Sequence, residues 1–193
     1  QICGADSRAL AFERPADRRA VGTCRDYALM LCGMLRQHGV AARVRCGFAA
    51  YFKKPWEDHW ICEYWRDGGW KRADAQLDGI VAPRLGIAFD PSDLPADMFI
   101  TAGEAWRRCR SGEADPEMFG HGTAASGLWF VRVNVVRDHH SLNGRETSDW
   151  DTWRQATAAH RVLSEAECAR ADGIAAHPDA PFDAPLTPPW QRA

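Results

Sequence analysis

Between Trp65 and Trp70 the chain reads Arg66-Asp67-Gly68-Gly69, with strand-like runs on either side, His59 to Trp65 and Trp70 to Gln76. Asp-Gly suits the two central positions of a tight hairpin turn, because both need a backbone that Asp tolerates and Gly adopts freely. A two-residue Asp67-Gly68 turn pairs Trp65 with Trp70, Glu63 with Arg72, Ile61 with Asp74 and His59 with Gln76. Side chains alternate with a period of two, so His59 and Asp74 become diagonal neighbours on one face. A Gly68-Gly69 turn keeps that parity. A three-residue loop sends the two side chains to opposite faces.

Upstream, Thr23 can cap a helix that begins near Cys24. Tyr27, Met30, Leu31, Met34 and Leu35 recur at helical spacing, and Gly39 supplies a stop after His38. Ala42 to Phe52 has strand character. Thr101 with Glu104 and Ser164 with Glu167 have capping-box spacing, which predicts helices over 102–111 and 165–172. Leu128 to Val136 is rich in β-branched residues, yet its continuation through Leu142 favours a helix. Five of the eleven prolines (Pro178, Pro181, Pro185, Pro188, Pro189) crowd the last sixteen residues, which predicts an extended surface tail over 176–193 after one domain over 1–175.

A thiol in the first turn of a helix meets unpaired N–H groups and the positive end of the helix dipole, both of which favour a thiolate. The commoner role of a lone cysteine is that of a small buried hydrophobe, and Cys32, Cys46, Cys62, Cys109 and Cys168 are read that way. Cys24 differs because a histidine and a carboxylate share a face that could cover its helix N-terminus. In that arrangement His59 can take the thiol proton, and Asp74 can fix the imidazole tautomer and stabilise the imidazolium.

These residues carry a resemblance. Val21-Gly22-Thr23-Cys24-Arg25-Asp26-Tyr27-Ala28, then Leu35-Arg36 with Gly39 to Phe48, resemble the nucleophile helix and following strand of transglutaminase-like domains. Asp58 to Trp65 resembles their histidine strand, and Trp70 to Asp78 their aspartate strand. The likeness is dense from Arg14 to Asp78, thinner from Gly127-Leu128-Trp129-Phe130 to Trp153, and closer to a bacterial branch than to the large animal cross-linking enzymes. It implies a papain-like α+β fold, with the nucleophile helix packed on an antiparallel sheet and further helices C-terminal to it. It implies a thioester on the catalytic Cys24, resolved by water or an amine, with His59 and Asp74 completing the site and no cofactor. Family members commonly have helices ahead of the nucleophile, so the resemblance also implies that an upstream helical part is truncated here. The backbone N–H of Cys24 is one candidate oxyanion donor.

The expected substrate is therefore a peptide, a protein or a small amide. Arg25, Trp56 and Trp60 are candidates to contact it, although aromatics around such strands are more often core. Asp26 fits better as a first-turn helix acid than as a substrate contact. A non-catalytic binding module on the same fold and a coenzyme A-dependent acyltransferase are the rival readings.

No basic block offsets the formal charge of -2, made of 24 basic and 26 acidic residues, so nucleic acid is not expected as a partner. No apolar run spans a membrane, and Gln1 to Ala20 lack the apolar core of a secretory signal. Seven scattered cysteines point to a reducing, cytoplasmic setting, while a chain beginning on Gln is also compatible with a mature form cleaved from an export signal. His121 with His139-His140, and Asp90, Asp93 and Asp97, lack the spacing of metal sites, and no metal is expected.

Overall fold

The computed structural model describes residues 4, 6–9, 12–52, 55–123, 125–145 and 161–181. Among these, the α-helices are α1 (Cys24–Gln37), α2 (Val81–Arg84), α3 (Ala102–Arg110), α4 (Leu128–Leu142) and α5 (Glu165–Ala176). The strands are β1 (Ala42–Ala49), β2 (Trp56–Arg66), β3 (Gly69–Ala73), β4 (Phe99–Thr101), β5 (Phe119–His121) and β6 (Ala125–Ser126). They form one six-stranded sheet ordered β4-β1-β2-β5-β6, with β3 also paired to β2. The fold is α+β. The sheet is not wholly antiparallel, because β5 runs parallel to β2 at Trp56 and Glu57.

The turn that orders the hairpin is Asp67-Gly68, with φ of 51° and 78°. Trp65 accordingly pairs with Trp70 and Glu63 with Arg72. The ladder ends earlier than expected, at Cys62 with Ala73. Asp74 leaves the strand because its own carboxylate accepts the Gln76 N–H (2.9 Å) and its N–H donates to Pro91. An acid that binds the backbone two residues ahead forms a turn in place of a ladder rung. Likewise β1 stops at Ala49, not Phe52, and Ala50 N–H turns to Met98.

Helix α1 starts at Cys24, and the Asp26 carboxylate accepts the Thr23 N–H (2.7 Å) and hydroxyl (3.0 Å). Its buried stripe is not the one that the large side chains outline. Ala28 and Cys32 are buried, with Cys24, Leu31 and Leu35 beside them, whereas Tyr27 and Met34 are nearly half exposed. Small residues let the helix lie close against Val44, Cys46, Trp60 and Cys62 of the sheet. Gly39, at φ 75°, ends it after His38.

Helix α3 is capped by the Thr101 hydroxyl, but Glu104 pairs with Arg108. Helix α5 has its Ser164–Glu167 capping box and runs to Ala176, four residues beyond the expected end. The ambiguous stretch from Leu128 is helical. It packs with α3 and α5 in one core that holds Trp106, Phe130, Val131 and Val133. The Pro178 carbonyl meets the Nδ1 of buried His139 at 2.8 Å. Pro185, Pro188, Pro189 and Trp153 lie outside the described residues.

Between β2 and β4, Gly47 has no room for a side chain: a Cβ there would stand 2.1 Å from the Ile100 carbonyl oxygen. Beside it, Arg45 is buried and bonded twice to Asp138 of α4 (3.0 and 2.8 Å) and once to Glu63 (2.9 Å). Asp138 also accepts the Cys46 N–H at 2.8 Å. Removing one partner of such a buried pair leaves an uncompensated charge. Asp138→Ala is expected to lower unfolding stability by about 3–5 kcal/mol, read from urea denaturation. A loss under about 1 kcal/mol would show that the pair does not fasten α4 to the sheet.

Candidate active site

Strand β2 carries the imidazole and the hairpin brings back the carboxylate. His59 Nε2 lies 2.7 Å from Asp74 Oδ2, with both side chains buried. The ionised carboxylate only accepts, so Nε2 carries the hydrogen and Nδ1 is left for another partner. The Cys24 side chain lies by the ring and favours its charged form, and both residues line one cleft. The residues of β2 that meet the body of α1, Trp60 and Cys62, include none of His59's parity, and the imidazole meets the helix at its N-terminal residue. The three residues read from the sequence are thus together at one site.

Further groups hold the site, and nothing in the spacing of the chain marked them. Tyr51 donates its hydroxyl to Asp74 Oδ2 at 2.7 Å, the same oxygen that His59 uses. The rings of Tyr51 and Phe52 both stand edge-on to the imidazole, at 5.8 and 4.9 Å between centroids. Asp58 is buried on Asn134 of α4 (3.0 Å) and Arg137 (3.5 Å), which fastens β2 next to His59.

Burial by itself pulls His59 toward the neutral form, but the hydrogen bond and charge of Asp74 and the contact with Cys24 outweigh it and raise its pKa to about 10. Burial pushes Asp74 up, and His59, Tyr51 and the Gln76 N–H together hold it below its ordinary value. Both shifts favour an imidazolium beside a carboxylate.

The site opens on a cleft of about 640 Å³ that Cys24, His59, Trp60, Arg25, Phe52 and Leu85 help to line. Glu57, His121 and Gly122 line it as well; Glu57 accepts the Gly122 N–H at 2.9 Å and stands 3.2 Å from His121 Nδ1. Of the expected substrate contacts, Trp60 and Arg25 lie on the cleft. Trp56 is not among its lining residues and stacks on Phe119 at 6.0 Å, against the helical core. Asp26 also faces the cleft, although its carboxylate is engaged by Thr23. Among the described residues no group of three metal-ligating side chains gathers: Asp90 holds Ser92 and Asp93 holds Lys71.

A thiol at a helix start, beside an imidazole that is bonded to a carboxylate, offers chemically a nucleophile, a base and a group to orient it. Residues 7–75, which contain all three side chains, match the family model of the transglutaminase-like superfamily, and the mixed α+β fold is consistent with that family. The match is compatible with a papain-like cysteine enzyme; the superfamily also has non-catalytic members. No curated protein and no solved structure matches the chain. Among the described residues no helix is long and apolar enough to cross a membrane.

The sign of the His59 shift gives a stability prediction. A pKa raised on folding stabilises the fold fully below the unfolded value, about 6.5, and that contribution is lost as pH rises through the folded value, about 10. Denaturation midpoints should therefore fall between about pH 6.5 and 10 in the wild type and fall less in His59→Gln. Parallel curves for the two proteins would contradict the raised pKa.

Proposed function

We propose that the protein is a cysteine-dependent amide hydrolase or acyltransferase that works through a thioester on Cys24. The observation that supports it best is one buried imidazole bonded to Asp74 through Nε2 and sharing its cleft with the Cys24 thiol at the start of α1. The Cys24 proton is held on His59, as an imidazolium, and the thiolate attacks the carbonyl carbon of the acyl donor. The tetrahedral oxyanion lies within reach of the unpaired N–H groups at the α1 N-terminus, with that of Cys24 as the first candidate. His59 then gives its proton to the departing nitrogen, the C–N bond breaks, and the thioester remains. Water or an amine, losing its proton to His59, attacks the thioester and frees the thiolate. Asp74 holds the ring in the tautomer that this exchange requires and stabilises it when charged.

The substrate we propose is a peptide, a protein or a small amide, lying along the Trp60 and Arg25 wall of the cleft. Six described cysteines are free thiols, which supports a reducing, cytoplasmic setting.

Two measurements test this reading. Iodoacetamide should label Cys24 rapidly well below the ~8.5 pKa of a free thiol, with a bell-shaped dependence of substrate turnover on pH. His59→Ala should abolish the rapid labelling and cost about 10²–10⁴-fold in turnover of any amide or thioester substrate. Slow labelling that ignores His59 would assign the protein to the non-catalytic members of its fold.

A further inference from the structure

We infer that Tyr51 is a positioning residue that sets the proton affinity of His59 through Asp74. This rests on the proposed role of the Cys24–His59 pair for its meaning in catalysis, though not for its physical content.

Asp74 Oδ2 receives two hydrogen bonds of equal length, 2.7 Å from the Tyr51 hydroxyl and 2.7 Å from His59 Nε2, while Oδ1 receives the Gln76 N–H at 2.9 Å. Two donors on one oxygen share its charge, so each draws on what the other receives. The phenol is therefore a brake on the carboxylate, since it takes density that would otherwise hold the imidazolium proton. Its own proton stays in place, because burial and the neighbouring carboxylate both push the Tyr51 pKa up. The hydroxyl thus acts as a permanent donor across the working pH range.

The ring is as firmly held as the hydroxyl. It packs edge-on against Phe89 at 5.6 Å and against His59 at 5.8 Å, within the cluster that also holds Ile61, Leu77 and Phe99. Loss of the hydroxyl alone should leave this packing intact, and the Gln76 N–H should still orient Asp74. What changes is the share of Oδ2 left to His59. An imidazolium that is held too tightly is a poorer acid toward the departing amine, which gives the brake a catalytic use.

The groups that face His59 are Asp74 and Cys24, with Tyr51 and Phe52 as aromatic neighbours. The test is a direct NMR titration of the His59 ring, assigned by its absence in His59→Gln, in the wild type and in Tyr51→Phe. The expected result is a His59 pKa higher by about half a unit in Tyr51→Phe, with a several-fold lower kcat and little change in KM. Tyr64→Phe removes a hydroxyl bonded to the Ser92 carbonyl and should leave the titration unchanged.

If Tyr51→Phe does not fold, biosynthetic replacement of tyrosine by 3-fluorotyrosine gives the opposite probe. A stronger phenol donor should lower the His59 pKa. An unshifted titration, or a shift of the other sign in either protein, overturns the inference. Failure of the catalytic reading is seen separately, as wild-type Cys24 labelling that ignores His59, and leaves the titration outcome readable.

Discussion

The hydrogen bond between His59 and Asp74 is the contact on which the rest of the site depends, and it is an expensive one. Both side chains are almost wholly buried, and taking two charges out of water costs several kcal/mol per ion before any attraction is regained. The structure offsets that cost by saturating the pair. Asp74 has three donors on its two oxygens, and Cys24 also favours the charged imidazole. Each of those partners comes from a different part of the chain: the loop after β1, the turn after β3 and the start of α1.

A second buried ionic system holds the scaffold that presents this pair. Glu63 is ringed by Arg43, Arg45 and Arg72, Arg45 passes on to Asp138, and Asp58 binds Asn134 and Arg137 one position before His59. Burial pushes the Glu63 carboxyl up, but Arg45 and Arg43 hold it below the usual range, so it stays ionised. These contacts tie α4 to β1 and β2 side by side. The apolar helix α1 approaches the sheet through small residues, and its N-terminus can then stay open to the cleft beside Cys24 while its body is packed.

Much of this arrangement is legible in the chain, and the exceptions have physical reasons. Asp67-Gly68 determines the hairpin register because few dipeptides adopt that backbone, and the turn that Asp74 makes past the last rung lets its carboxylate reach His59. Helix starts at Cys24, Ala102 and Glu165 follow from side chains that cap the helix next to them in sequence. Strand ends are less visible, as Asp74 shows, because a side chain competing for its own backbone decides them. The buried face of α1 was hidden because Tyr27 and Met34 look like core and are not, while Ala28 and Cys32 do the packing. Tyr51 gave no signal at all, since its role arises from a contact across 23 residues that no local spacing encodes.

A covalent intermediate on Cys24 is the claim that most needs a direct look. Incubation with an activated acyl ester, acid quenching and intact-protein and peptide mass spectrometry would read it without knowledge of the natural substrate. The expected result is one acyl group per chain, on Cys24, formed rapidly in the wild type, slowly in His59→Ala and not at all in Cys24→Ala. Acylation spread over other residues, or equal on Cys24 with and without His59, would contradict it.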